Sequence, residues 1–281
     1  VGGGNSNTAS GCASTVGGGN GNIASQLRST VSGGYSNLAS GVHSTISGGY
    51  DNTAAGSDSV AVGGRTNTAS GNCSTVGGGA SNTANSTWAT VGGGLSNTAS
   101  GNKSTASGGW LNTASGYLST VSGGYNNIAN SQGAAIAGGQ TNRICSSAGC
   151  SFIGSGNNNV ISIGATGSFI GGGGSNINSS SSGAIVGGNS NTTSAAGNHF
   201  IGGGHINTTN GSFNYQTIVG GYNSTSSNRY TFIGGGYQNS TTNEWGTVAG
   251  GRSNVASGVY MIFISSQDAT DTTVKKVMII R

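Results

Sequence analysis

Apolar residues in this chain are sparse, mostly branched and regularly spaced. A Val or Ile opens each unit, glycines and small polar residues follow, and an Ala stands eight places further on. VGGGNSNTASGCAST (1–15) is followed by VGGGNGNIASQLRST (16–30) and VSGGYSNLASGVHST (31–45), and the period of fifteen persists through nine copies to Ala135. From Ile136 to Phe263 the same opening recurs at spacings of 14 to 18 residues, and 264–281 is a different, charge-rich tail. The expected organisation is a regular repeat region (1–135), an irregular one with longer loops (136–263) and a C-terminal cap or junction (264–281).

Fifteen residues are too few for a helical hairpin repeat but suit one coil of a parallel β-solenoid, with two short strands and their turns. The expected fold is all-β, with about 17 coils and a length of about 80 Å at the spacing of neighbouring strands. Alternation within a strand sends Val16 and Ala24 inward and their neighbours Thr15 and Ser25 outward. The inner column predicted from the repeat opening starts at Val1 and Val16. It continues through Ile153 and Ile170 to Val186, Ile201, Val219, Ile233, Val248 and Ile264. Ala9, Ala24, Ala39 and their successors to Ala129 line the opposite side. Beside them stand Asn7, Asn22, Asn37, Asn52, Asn67, Asn82, Asn97, Asn112 and Asn127. An Asn buried in every coil must be hydrogen-bonded, so this column is expected to be an internal amide ladder.

Composition narrows the classes further. The 281 residues include 58 Gly, no Pro and 5% charged residues, with a net charge of +4. An ordinary soluble domain carries about 25% charged residues, so one large aliphatic core under a charged shell is excluded. Glycine does not recur at every third position, which excludes collagen. No apolar run approaches the roughly 18–20 residues that span a bilayer, so no membrane insertion is expected. Nine basic residues spread along the chain make no nucleic-acid footprint. Val1 in place of an initiator Met reads as a processed product or a fragment.

The residue before each inward Val or Ile is Thr through most of the first half. In the second half it becomes Phe152, Phe169, Ile185, Phe200, Ile218, Phe232 and Phe263. Strands apolar on both faces need a cover, so this column is expected to be a subunit interface between identical copies. The alternative is that wider coils fold these rings into their own core. At the corner after Gly-Gly, Tyr35, Tyr50, Trp110, Tyr125, Tyr222 and Tyr237 are candidate binding residues, able to anchor a sugar or a protein. Rings that merely shield the turns or pack between subunits are the alternative. The opposite corner (Arg28, His43, Asp58, Trp88, Lys103, Leu118) has no charge stripe.

Chemistry is thinly represented. His43, His199 and His205 lie in different coils with no carboxylate nearby in sequence, Asp51 and Asp58 fall at different corners, and Glu244 stands apart. Paired carboxylates and Ser-His-Asp arrangements are therefore not expected, and the chain is read as a non-enzyme without cofactors. No Cys–His spacing suits zinc, and calcium-binding repeats need an Asp in every copy, so no metal is expected. Cys145 and Cys150, in one enlarged turn, are a candidate disulfide, with two free thiols as the alternative.

The grammar NTASGxxST, and SVAVGG at 59–64 above all, resembles the head repeats of trimeric autotransporter adhesins and the related repeats of phage and viral tail-fibre proteins. The resemblance covers 1–135 well and 136–263 loosely. The fifteen-residue period exceeds the adhesin repeat by one Gly. The resemblance implies a left-handed parallel β-roll, a homotrimer, and a surface-exposed adhesive or receptor-binding role on a cell or a virion. Its partners would be copies of itself and a cell-surface glycan or protein receptor. The competing reading is an ice-binding solenoid using Thr-x-Ser ranks such as Thr8-Ala9-Ser10 and Thr30-Val31-Ser32.

Overall fold

A computed structural model describes residues 1–194, 197–211 and 215–256; Phe263, Ile264 and the tail 264–281 lie outside these. The chain divides into two compact units, Val1–Arg143 and a second beginning at Ile144. Both are parallel β-solenoids without helix, and the described residues form about sixteen turns, close to the expected count.

In the first unit every coil contributes two strands of two residues. Thr8–Ala9 pairs with Ile23–Ala24, and Thr15–Val16 with Thr30–Val31, each residue facing its equivalent fifteen places on. A third ladder of single bridges joins the corner residues, from Asn5↔Asn20 through Tyr35↔Tyr50 and Leu95↔Trp110 to Tyr125↔Gln140. The register follows from alternation, since a slip of one residue would turn every Val to solvent and every Thr inward. Val16, Val31, Ile46, Val76, Val91, Val121 and Ile136 are fully buried, as are Ala24 to Ala129 on the facing side. Val1 and Ala9, in the first coil, are exposed and half-buried respectively. A core one Val and one Ala thick cannot stabilise a coil alone; each depends on its neighbours.

Corners carry the backbone strain. Thirty described residues other than glycine have φ between +51° and +68°, at two places in the regular coil. Arg28, His43, Asp58, Trp88, Lys103 and Leu118 form one such column, a left-handed conformation that costs an L residue about 1–2 kcal/mol. Stacking offsets it: the Arg28 amide donates to the Cys12 carbonyl (2.9 Å) and the Asp58 amide to the Val42 carbonyl (2.8 Å). Where Asn packs beneath the corner, glycine is obligatory. A Cβ on Gly94 (φ +87°) would sit 2.3 Å from the Gly109 oxygen and 2.6 Å from Asn97 Nδ2.

The second unit keeps the architecture with uneven coils. Its inner column is Ile153, Ile170, Ile185, Ile201, Ile218, Ile233 and Val248, all fully buried and paired in that order. This corrects the expected register at two coils: Ile185 and Ile218 point inward, while Val186 and Val219 are 49% and 48% exposed. The cause is the positive-φ glycine that closes the turn. Gly188 and Gly221 occupy that place, and counting back three residues puts Ile185 and Ile218 in the core. Val186 and Val219 take the place of the first glycine of the turn.

The facing column changes chemistry. Where the first unit has Ala, the second has Ile144 and Ile161, then Asn178, Thr193, Thr209, Ser226 and Thr241, and again Ala256, all buried, with His199, Gln216 and Thr231 beside them. Most of the polar groups bond one another: Thr193 Oγ1 donates to Asn178 Oδ1 (2.7 Å), His199 Nδ1 lies 2.9 Å from Thr209 Oγ1, and Ser226 bonds Thr231 and Thr241, whereas Gln216 Nε2 donates to the Asn210 carbonyl (3.2 Å).

Candidate binding surface

The Asn column is the frame on which the surface hangs. Asn97 is typical: its Nδ2 donates to the Gly93 carbonyl (2.9 Å) and to the Gly109 carbonyl of the next coil (2.8 Å). Its Oδ1 accepts the Asn112 amide (3.0 Å). The same pattern serves Asn22, Asn37, Asn52, Asn67, Asn82, Asn112 and Asn127, all fully buried, and also Asn7, which is half-buried in the first coil. Amide-to-amide contacts are the minor part of the ladder, as in Asn37 to Asn22 (3.1 Å). Its main work is to satisfy glycine carbonyls and backbone amides at the corner. Asn191 belongs to the column as well, and Ser224 replaces Asn in one coil.

That frame holds each corner residue directly above its equivalent. Tyr35 and Tyr50 stack with centroids 5.1 Å apart and planes at 2°, Tyr222 and Tyr237 at 5.0 Å and 5°, and Trp110 meets Tyr125 at 4.8 Å and 54°. Arg65 covers Tyr50 and Arg252 covers Tyr237, at 5.6 and 5.2 Å. The candidate aromatic residues are thus brought together as three short ladders, with His205 extending the Tyr222 stack. Their faces are spent on one another, so the surface shown to solvent is largely a rank of ring edges and phenol hydroxyls.

A further ladder, not singled out from sequence, lies at the other corner: Tyr215, Tyr230 and Trp245, with centroids 5.4 and 4.2 Å apart. The spacing of fifteen between these residues was the available signal. Arg229 and Glu244, each one residue before a ring of this ladder, pair at 3.0 Å. In the first unit the same corner seats Lys103 over Trp88 and Tyr117, at 5.2 and 6.0 Å.

The Phe column points outward. Phe152, Phe169, Phe200 and Phe232 are each 38–39% exposed, which overturns the alternative that they fold into the core. Each ring lies over the glycine two residues on, with Cε1 3.3 to 3.6 Å from where a Cβ would stand. Ile185 and Ile218 are corrected out of this column; Ala184 and Thr217 take their places between the Phe residues.

Stacking also corrects the reading of the histidines. Asp58 is one coil from His43, and its Oδ1 lies 3.1 Å from His43 Nδ1. Hydrogen bonds from Ser57 first, and from His43 second, hold the Asp58 carboxyl below its ordinary range. Ser57 donates to Asp58 rather than to His43, so the trio has the wrong order for a nucleophile relay. Among the described residues no three His, Cys, Asp or Glu side chains gather as a metal site. Cys145 is half-buried, Cys150 exposed at a left-handed corner, and both are free thiols. Of the two alternatives for this turn, the structure has the free thiols.

The family model of the ubiquitous surface protein adhesin repeat matches residues 29–41. That stretch holds one example of most elements described above: the Thr30–Val31 strand, the ladder residues Tyr35 and Asn37, and the Leu38–Ala39 strand. The chain matches no curated protein. The solenoid therefore carries an adhesin-like repeat.

Proposed function

We propose that this chain is a segment of a surface fibre, on a cell or a virion, that supplies reach and rigidity and attaches to a receptor. The observation that carries the reading is the outer face of the second unit. Its strands are full of Ile on the inside, yet Phe152, Phe169, Phe200 and Phe232 stand half-exposed on the outside. Such a surface suits contact with further copies of the chain. A homotrimer is the assembly we favour, on the resemblance to trimeric adhesin repeats. The ladders of ring edges and hydroxyls, spaced one coil apart, are the proposed receptor contacts, with glycan hydroxyls or a protein surface as the partner.

The test is binding to glycan arrays and to intact cells by the wild type and by a variant with Tyr35, Trp110, Tyr222 and Tyr237 changed to Ser. Loss of binding in the variant, with its circular dichroism unchanged, supports the reading. Equal binding overturns the assignment of the ladders.

Ice binding is supported by one feature. Thr53, Thr68, Thr83, Thr98 and Thr113 stand in register on one sheet, and Thr75, Thr90, Thr105 and Thr120 on the other. The second unit breaks both ranks with Val160, Ile177 and the Phe residues. Inhibition of ice recrystallisation by the purified chain would favour this second reading over the first.

A further inference from the structure

Nine tyrosines occur in the chain, of which Tyr260 lies outside the described residues. Six of the others form three stacked pairs, each joining residues fifteen apart: Tyr35 with Tyr50, Tyr222 with Tyr237, and Tyr215 with Tyr230. Centroids are 5.0 to 5.4 Å apart and planes within 10°. The first two pairs are also bridged through the backbone, so equivalent ring carbons face each other. All six side chains are exposed, which admits an oxidant.

We infer that these three pairs are sites of oxidative tyrosine coupling, the co-reactant being a one-electron oxidant such as a haem peroxidase with hydrogen peroxide. Each phenol of a pair gives up one electron and one proton. The two phenoxyl radicals then join through the carbons ortho to oxygen, forming one carbon–carbon bond. The hydrogens on those carbons move to the phenol oxygens, restoring aromaticity, so the product is lighter by two hydrogens. The peroxide takes up the two electrons and two protons and becomes two waters. The product ties one coil to the next by a covalent bond, in a protein whose coils are otherwise held by backbone ladders and a thin core. Tyr117 and Tyr125 have no tyrosine stacked on them among the described residues; the ring beside Tyr125 is Trp110.

The experiment treats the full chain, as an equal mixture of light and 15N-labelled protein, with peroxidase and hydrogen peroxide. Dityrosine fluorescence and peptide mass spectrometry are the readouts. The expected result is links 35–50, 222–237 and 215–230, each between peptides of one isotope, and a higher unfolding temperature after coupling. The Y35F/Y230F/Y237F variant keeps one tyrosine of each pair; it should fold like the wild type and lose the fluorescence. Links of mixed isotope, links confined to Tyr117 and Tyr125, or undiminished fluorescence in the variant would each overturn the proposal. So would a folded wild type that does not couple.

Discussion

Replacing Asn97 by Ala removes a side chain that is fully buried and leaves three polar groups behind. The carbonyls of Gly93 and Gly109 lose their Nδ2 donor, at 2.9 and 2.8 Å, and the Asn112 amide loses its acceptor at 3.0 Å. A buried group left unpaired costs about 1–3 kcal/mol. The Gly109 carbonyl keeps the Leu95 amide at 2.9 Å, so two groups are left unpaired, and with water entering the corner the loss is about 2–4 kcal/mol. That is a large share of the roughly 5–15 kcal/mol that stabilises a typical domain. Urea unfolding followed by circular dichroism measures the loss. Amide hydrogen exchange locates it, because the Asn112 amide should lose its protection first. Asn102→Ala, on an exposed turn, should stay within about 0.5 kcal/mol. A loss below 1 kcal/mol for Asn97→Ala, with Asn112 still protected, would refute the claim that the ladder satisfies the corners.

Other consequences follow from the same geometry. Ser224→Asn restores the ladder where the amide is missing; two regained hydrogen bonds should stabilise the chain by about 1–2 kcal/mol in urea unfolding. Ile185→Ala should cost about 2–5 kcal/mol by the same measurement, whereas Val186→Ala should change stability by less than about 0.5 kcal/mol. The reverse order would show the register to be wrong at that coil. Because the Asp58 carboxyl is held below its ordinary range in the folded chain, its contribution is present above the unfolded carboxylate pKa of about 3.9 and fades as pH falls through the folded value. An NMR titration should place Asp58 below the ordinary aspartate value of about 3.9. Ser57→Ala should bring Asp58 back toward the ordinary range.

Much of this architecture is legible in the residues themselves. Val and Ala fifteen places apart, with Thr between solvent and core, define both sheets of the first unit. The column from Asn22 to Asn127 announces a buried amide. At Ile185 and Ile218 the pattern misleads, because AIVGG and TIVGG offer two branched residues in a row and only the positive-φ glycine three residues on decides between them. The pairing of His43 with Asp58 depends on a rule applied elsewhere but not at the corners, that residues fifteen apart are neighbours. The left-handed corners have no compositional signature, since Arg, Trp, Asp and Leu all occupy them. There stacking and hydrogen bonds override intrinsic preference. The polar core of the second unit escapes the pattern, because Thr193, Thr209, Ser226 and Thr241 replace the Ala column with residues that read equally well as surface. His199 and Gln216 join it through strands that lengthen to three residues.

The most direct test of the proposed function is the solution mass of the chain by light scattering coupled to size exclusion, for the wild type and for F169S/F200S/F232S. The account predicts three times 27.1 kDa for the wild type and 27.1 kDa, with the fold retained, for the variant. A wild type that runs at 27.1 kDa would contradict the reading of the Phe face as the contact between copies.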